Sequence, residues 1–418
     1  MDALKCLRSL AIPLAIFAGT FSLAHAAENG ASDESLSLAK KVYVGGNGLG
    51  VFDISFVDPQ IGLYVLSDRT NASIDLLDSN QGIFVGRVGK QCPAGDPAPY
   101  FCFQGVQATT SVSGPDGVVI VGHKEIWAGD GDSRIKVINL FTRQFITTIS
   151  TGGTKRVDEM ADDPRDHLLA AANNADTPPF VTIFDTNAKT IKAKLVFQTG
   201  SSNADVDAQN GIEQSQWSPQ TGLFYISVPQ VGSDPSVGGV SVIDPHTMKV
   251  TGTFLVKNCS PAGLALGPNH EALIGCSAAF GTPPTTQSLI IDITSTNFSL
   301  NGAIVATVPI GGSDEVWYDP GTRHYFLAAR DNTDSSGKPD PILGVIDAIS
   351  HKLDPSVPSS TSSHSVAADR YSHLVFLPVG FVSPTSTTPD PNNICPQKGC
   401  IGVYLASPEN GSSGLAQK

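Results

Sequence analysis

A single phrase returns about seven times along this chain, at a spacing of roughly fifty residues. It runs acidic residue, short apolar strand, Asp-Pro-type turn, second apolar strand, polar loop, and a strand ending in Ile-Asp. Three copies show it: FDISFVDPQIGLYVLSDRTNASIDLLD from Phe52, VDEMADDPRDHLLAAANNADTPPFVTIFD from Val157, and SDEVWYDPGTRHYFLAARDN from Ser313 with its VID ending at Asp347. A repeat of this length built from several short strands cannot bury its apolar faces alone, so copies must stack. The architecture that answers this demand is an all-β propeller of four-stranded antiparallel blades.

Alternation and turn residues divide the chain into seven blades. They span Val51 to Val88, Asp116 to Ile149, Val157 to Phe197, Gly211 to Val256, Pro261 to Val308, Ser313 to Val357 and His364 to Leu405. The last shows three strands, HSVAADR, HLVFLPVG and CIGVYLAS. The segment Lys40 to Gly45 precedes the first repeat and has no partner of its own. Pairing it as the outer strand of blade seven closes the ring and removes an open edge. The propeller is therefore expected over residues 40–406, with polar, disordered ends at 27–39 and 407–418.

The first 26 residues join basic Lys5 and Arg8 to an apolar core and an Ala24-His25-Ala26 ending. This pattern is that of a secretory signal peptide, and it places the mature protein outside the cytoplasm, secreted or periplasmic. No later stretch is long enough to span a membrane. Without Cys6, the cysteines fall into three near pairs: Cys92 with Cys102, Cys259 with Cys276, Cys395 with Cys400. Local disulfides fit an exported chain, while the spacing lacks the CxxC or neighbouring His of a zinc site. The 26 basic against 39 acidic residues give a net charge of -13 with no basic cluster, which argues against nucleic acid as a partner. A small-molecule ligand and a monomer are expected.

Aligning the copies on the turn makes the residue five before it comparable: Asp53, Asp158, Glu213, Ala262, Asp314 and His364, with blade two out of register near Asp116 or Gly117. Inner strands line the channel, so these residues should converge as an acidic ring at one end. Glu159, Gln214, Glu315 and Ser365 come next. Loops between second and third strands belong to the same face and add Arg69, Asn173 and Arg330. Crowded carboxylates need a compensating charge. A hard cation such as Ca2+, held by Asp53, Asp158, Asn173, Glu213 and Asp314, is one solution. Ion pairs with Arg69, Arg156 and Arg330, or bonds to backbone amides, are the other.

His364, Glu213 and Asp314 are the catalytic candidates: an imidazole beside carboxylates can take a proton from water, or it can simply cap a strand. Arg69 and Arg330 can clamp a substrate carboxylate, or neutralise their neighbouring aspartates. Glu159, Glu315, Gln214 and the Tyr318 hydroxyl are further substrate-facing candidates. The remaining histidines, His123, His167, His246, His270, His324, His351 and His373, read as solvated turn residues. Nucleophile-elbow, phosphate-loop, haem and zinc-protease motifs are absent.

The segments GLYVLSDRTNASIDLLD, DSRIKVINLFTRQFITTI and GGVSVIDPHTMKVTGTF resemble the YVTN-type β-propeller repeat, in which YV(T/S), a polar loop and V-x-V-I-D precede a turn and V-x-x-T-I. The resemblance covers nearly the whole mature chain. It implies kinship in fold with two enzyme groups, the phosphogluconolactonase-like lactonases and the calcium-dependent gluconolactonase and paraoxonase group. In the latter, Glu, Asn and Asp side chains hold a catalytic metal at the channel mouth, which by position would be Asp158, Glu213, Asp314 and Asn173 here. The function so implied is metal-dependent hydrolysis of a lactone or ester. The rivals are a non-catalytic binding scaffold and a lyase using His364 as base.

Overall fold

A computed structural model describes residues 35–93, 101–277, 286–382 and 390–407 of the protein. The expected signal peptide, most of the segment before the first strand and the tail from residue 408 lie outside them, as do parts of three long loops. The described residues form seven four-stranded antiparallel sheets, a small extra two-stranded sheet and a short 3-10 turn, with no α-helix among them. Inner strands at Phe52–Asp58, Val118–Val121, Met160–Asp163, Ser215–Trp217, Pro261–Leu266, Val316–Asp319 and Ala367–Asp369 each touch the next around a ring. The chain is a seven-bladed β-propeller.

Burial explains which strand goes where. The second strands are buried along almost their whole length, and at every residue in Leu168–Asn173 and His324–Ala329, because a blade packs on both faces. The outermost strands, such as Gln144–Ser150, are exposed at alternate positions or nearly so, because they form the rim. Between blades three and four, Ala170, Val181 and Ile183 meet Phe224, Ile226 and Ile243 in one apolar cluster. Each fully buried side chain of this size contributes about 1.5–3 kcal/mol, so the stacking of blades supplies the stability a lone blade lacks.

Blade seven is completed by Leu36–Val42, which pairs antiparallel with Cys400–Ala406 from Leu36 against Ala406 to Val42 against Ile401. The strand begins at Leu36, ahead of the expected Lys40. A register shift between Leu38 and Lys40 lets both ends bury their side chains, and Leu36 sits in the core of blades six and seven. Tyr64 of blade one stacks on Phe376 of blade seven at 4.7 Å across the closure.

All three expected disulfides are formed. The turn into each second strand takes a left-handed residue, supplied by Gly62, His123, His167, Gly222, His270, Arg323 and His373. That backbone role accounts for histidine at four of these positions better than solvation does. Two other expectations of solvated histidines fail outright. His324 is buried and meets Asp354 at 3.1 Å, and His351 meets Glu271 at 2.8 Å.

Candidate functional site at the channel mouth

Because the loop after each second strand returns to the end where the inner strand begins, side chains from both segments meet at one channel mouth. Arg69 reaches Asp53 of its own blade and Asp116 of the next, the latter through Nε at 2.8 Å. Asp116 is therefore the blade-two member of the ring. Its neighbour Gly117 is glycine for a steric reason, since a Cβ there would stand 1.6 Å from the Asp158 carbonyl oxygen. Arg156 bridges Asp158 at 2.6 Å and Asp53 at 3.5 Å, and donates from Nε to Asn174 Oδ1 at 3.2 Å. Asn174 in turn donates to Asp158 at 2.7 Å and to Glu213 at 3.4 Å. Arg330 pairs with Asp314 at 2.9 Å and with Asp331 at 3.5 Å.

His364 stacks flat on Phe52, ring centroids 4.7 Å apart. Its Nδ1 lies 3.0 Å from the Ser362 carbonyl oxygen, which can only accept, so Nδ1 carries the proton and Nε2 faces Asp53 Oδ1 at 3.4 Å. Asp53, Asp116, Asp158, Glu213 and His364 thus form one connected network across blades one, two, three, four and seven.

Burial sets the charges. Asp53 is held well below the usual carboxylate range, because Arg69, Arg156 and His364 together outweigh the penalty of burial. Asp116 shares Arg69 but is pushed well above that range by burial, so one carboxylate of the pair is ionised. Burial also pushes Asp158 up to about 7 against the pull of Arg156. Glu213 is raised well above its ordinary value by burial and by the carboxylates of Asp158 and Asp314. Arg69, Arg156 and Arg330 stay charged, held so by these same carboxylates against burial. The mouth is a guanidinium-rich network whose carboxylates are partly protonated.

Three of the expected calcium ligands have protein partners as placed. Asn173 turns its amide away, toward Ser133 at 2.8 Å and Asp176 at 3.1 Å, and its neighbour Asn174 takes the inward place. Asp53 and Asp314 meet arginines. Among the described residues no group of three or more His, Cys, Asp or Glu is set to hold a metal ion. Sequence reasoning gave Arg156 only a neutralising role and did not single out Asn174 as inward-facing. The signal for Arg156 was present, two residues before Asp158 in the repeat.

The second set of candidates lies deeper. Gln214 ties strands together, its Oε1 accepting from Leu264 N at 2.5 Å and its Nε2 donating to the Val316 carbonyl at 3.1 Å. Ser365 bonds Ser55 at 2.9 Å across the ring closure. Glu159 and Glu315 meet below the mouth, each pushed well above its ordinary value first by burial. Tyr318 packs on Tyr325 at 5.1 Å against the core of blades five and six, rather than showing its hydroxyl at the mouth. Beside the mouth, Arg156, Asn174 and Glu213 form one wall of a cavity of about 600 Å³ that continues between the loops of blades three and four. No protein-family model matches the chain, and no curated protein sequence matches it.

Proposed function

We propose that this exported propeller binds a small organic molecule carrying a carboxylate or ester oxygen at the channel mouth, and hydrolyses a lactone or ester there. The observation that carries the reading is the buried Asp53–Arg69–Asp116–Arg156–Asp158 network beside an open cavity. Buried ion pairs give a fold little that apolar residues would not, so a network of this size at a channel end suits recognition. Arg156, which belongs both to the network and to the cavity wall, is placed to bind the substrate oxygen. Its fixed charge would stabilise an oxyanion as a carbonyl is attacked. His364, with a proton on Nδ1, would take a second from water at Nε2, where the facing Asp53 carboxylate would stabilise the imidazolium that forms. Three disulfides suit an oxidising compartment.

A panel of lactones and aryl esters should include one that is turned over, and Arg156→Met should lower that rate by about a hundredfold or more. Absence of turnover, together with a melting shift on adding the same compounds, would leave a non-catalytic ligand-binding propeller. A specific feature favours keeping a cation in the test: Asp158 Oδ1 is buried without a partner, and Glu213 meets Asn174 only at the long distance of 3.4 Å. Turnover or melting temperature that falls with EDTA and returns with Ca2+ would assign the cation to these two carboxylates.

A further inference from the structure

The opposite end of the channel, where the turns into the second strands lie, opens into a separate cavity of about 490 Å³. That volume suits a small-molecule site. Phe56, Trp217 and Trp317 stand in its walls, and Glu159 and Glu315 lie at its inner end. The aromatics are only partly buried. Phe56 and Trp317 meet edge to face at 5.6 Å.

Two further features mark the cavity as more than a gap in the packing. Ser215 lines it with only 3% of its surface exposed, and its hydroxyl has no hydrogen-bond partner. A buried hydroxyl without a partner is unfavourable, and a bound donor would satisfy it. Glu159 and Glu315 both line the cavity's inner end, 3% and 5% exposed, and the strongest influences on them are burial and other carboxylates rather than any cation. Two carboxyls held in the interior cannot both ionise cheaply without a compensating charge.

We propose that this cavity binds a small organic ammonium ion with an apolar body. The rings of Phe56 and Trp317 attract the cation and cover its hydrocarbon part, and Trp217, over which the Arg165 guanidinium already stands at 5.3 Å, completes the apolar wall. Ser215 Oγ and the Glu159–Glu315 pair accept its N–H groups. Asp162 in the lining adds to the attraction, while Asp58 is already held by His123 at 2.6 Å. Arg370 also lines the cavity and opposes it. The site is independent of the hydrolytic reading of the mouth.

The test is a calorimetric and tryptophan-fluorescence titration with 2-phenylethylammonium, using 2-phenylethanol as its uncharged counterpart. Saturable binding of the ammonium, about tenfold or more tighter than the alcohol, is the expected result. Glu159→Gln and Trp217→Ala should each weaken it by about tenfold. Should either variant fail to fold, Ser215→Ala replaces it, with an expected weakening of about threefold or more and an unchanged melting temperature. Arg156→Met, at the mouth, should leave the affinity as it is. Equal or better binding of the alcohol, no saturation below about 10 mM, or loss of binding in a folded Arg156→Met protein would overturn the proposal.

Discussion

The two ends of the channel are built from the same seven strands and differ in how they treat charge. At the mouth, carboxylates at the start of the inner strands meet arginines delivered by the loops, and Arg69 is 3% exposed between two aspartates. At the turn end, aromatic rings surround a carboxyl pair that no arginine reaches in the same way. Both ends keep buried oxygens without partners, Asp116 Oδ2 and Asp158 Oδ1 at the mouth and Ser215 Oγ at the turn end, but the mouth sets guanidinium groups against its carboxylates. Equivalent positions of a repeat therefore acquire different chemistry according to which loop returns to them.

The sharpest way to break this contrast is Arg69→Met. It would strand Asp53 and Asp116 without their guanidinium and should cost about 3–5 kcal/mol in urea unfolding. A loss under about 1 kcal/mol would mean that the mouth network is not coupled.

A second comparison uses pH. Asp162, at the turn end, is pushed up to about 7 by burial and by the Asp163 carboxylate. Its folded value lies above the unfolded one, so the folded protein holds this proton more firmly. Stability should therefore fall as pH rises from about 4 to about 7, by an amount on the order of 1–3 kcal/mol. Asp162→Asn should flatten that part of the pH dependence of unfolding. Asp53 behaves in the opposite sense: its depressed value adds stability that is lost only as pH falls below the ordinary carboxylate range.

Smaller effects grade the two ends further. Asp314→Asn breaks an ion pair whose side chains are 20% and 27% exposed, so it should cost no more than about 1 kcal/mol, well short of Arg69→Met. Ser215→Ala removes a hydroxyl that has no partner, and unfolding should change by less than about 0.5 kcal/mol or show a slight gain. A large loss on Ser215→Ala would show that the hydroxyl is already satisfied, and the distinction between the ends would weaken.

Much of the fold was legible because a repeat announces itself through local signals. Blade limits, the closing strand of blade seven and the cysteine pairs all follow from alternation, turn residues and short separations along the chain. The left-handed histidines illustrate where such reading stops. His123 and His373 look like loose polar residues until the turn geometry assigns them a backbone role. Asn173 and Asn174 show the same limit at the site, because one residue of strand register exchanges inward for outward. Periodicity cannot say which of two adjacent asparagines faces a carboxylate.

By itself, the sequence determined a ring of blades and the gathering of Asp53, Asp116, Asp158, Glu213, Asp314 and His364 at one end of a channel, since equivalent positions in stacked repeats must converge. Only the tertiary structure decided what neutralises those acids. Arg69 and Arg156 reach carboxylates on neighbouring blades, and the charge each group carries depends on burial and on partners distant along the chain. The cavity at the opposite end is likewise a property of the assembled ring, because its walls come from blades one, two, three, four, six and seven and no single repeat contains it.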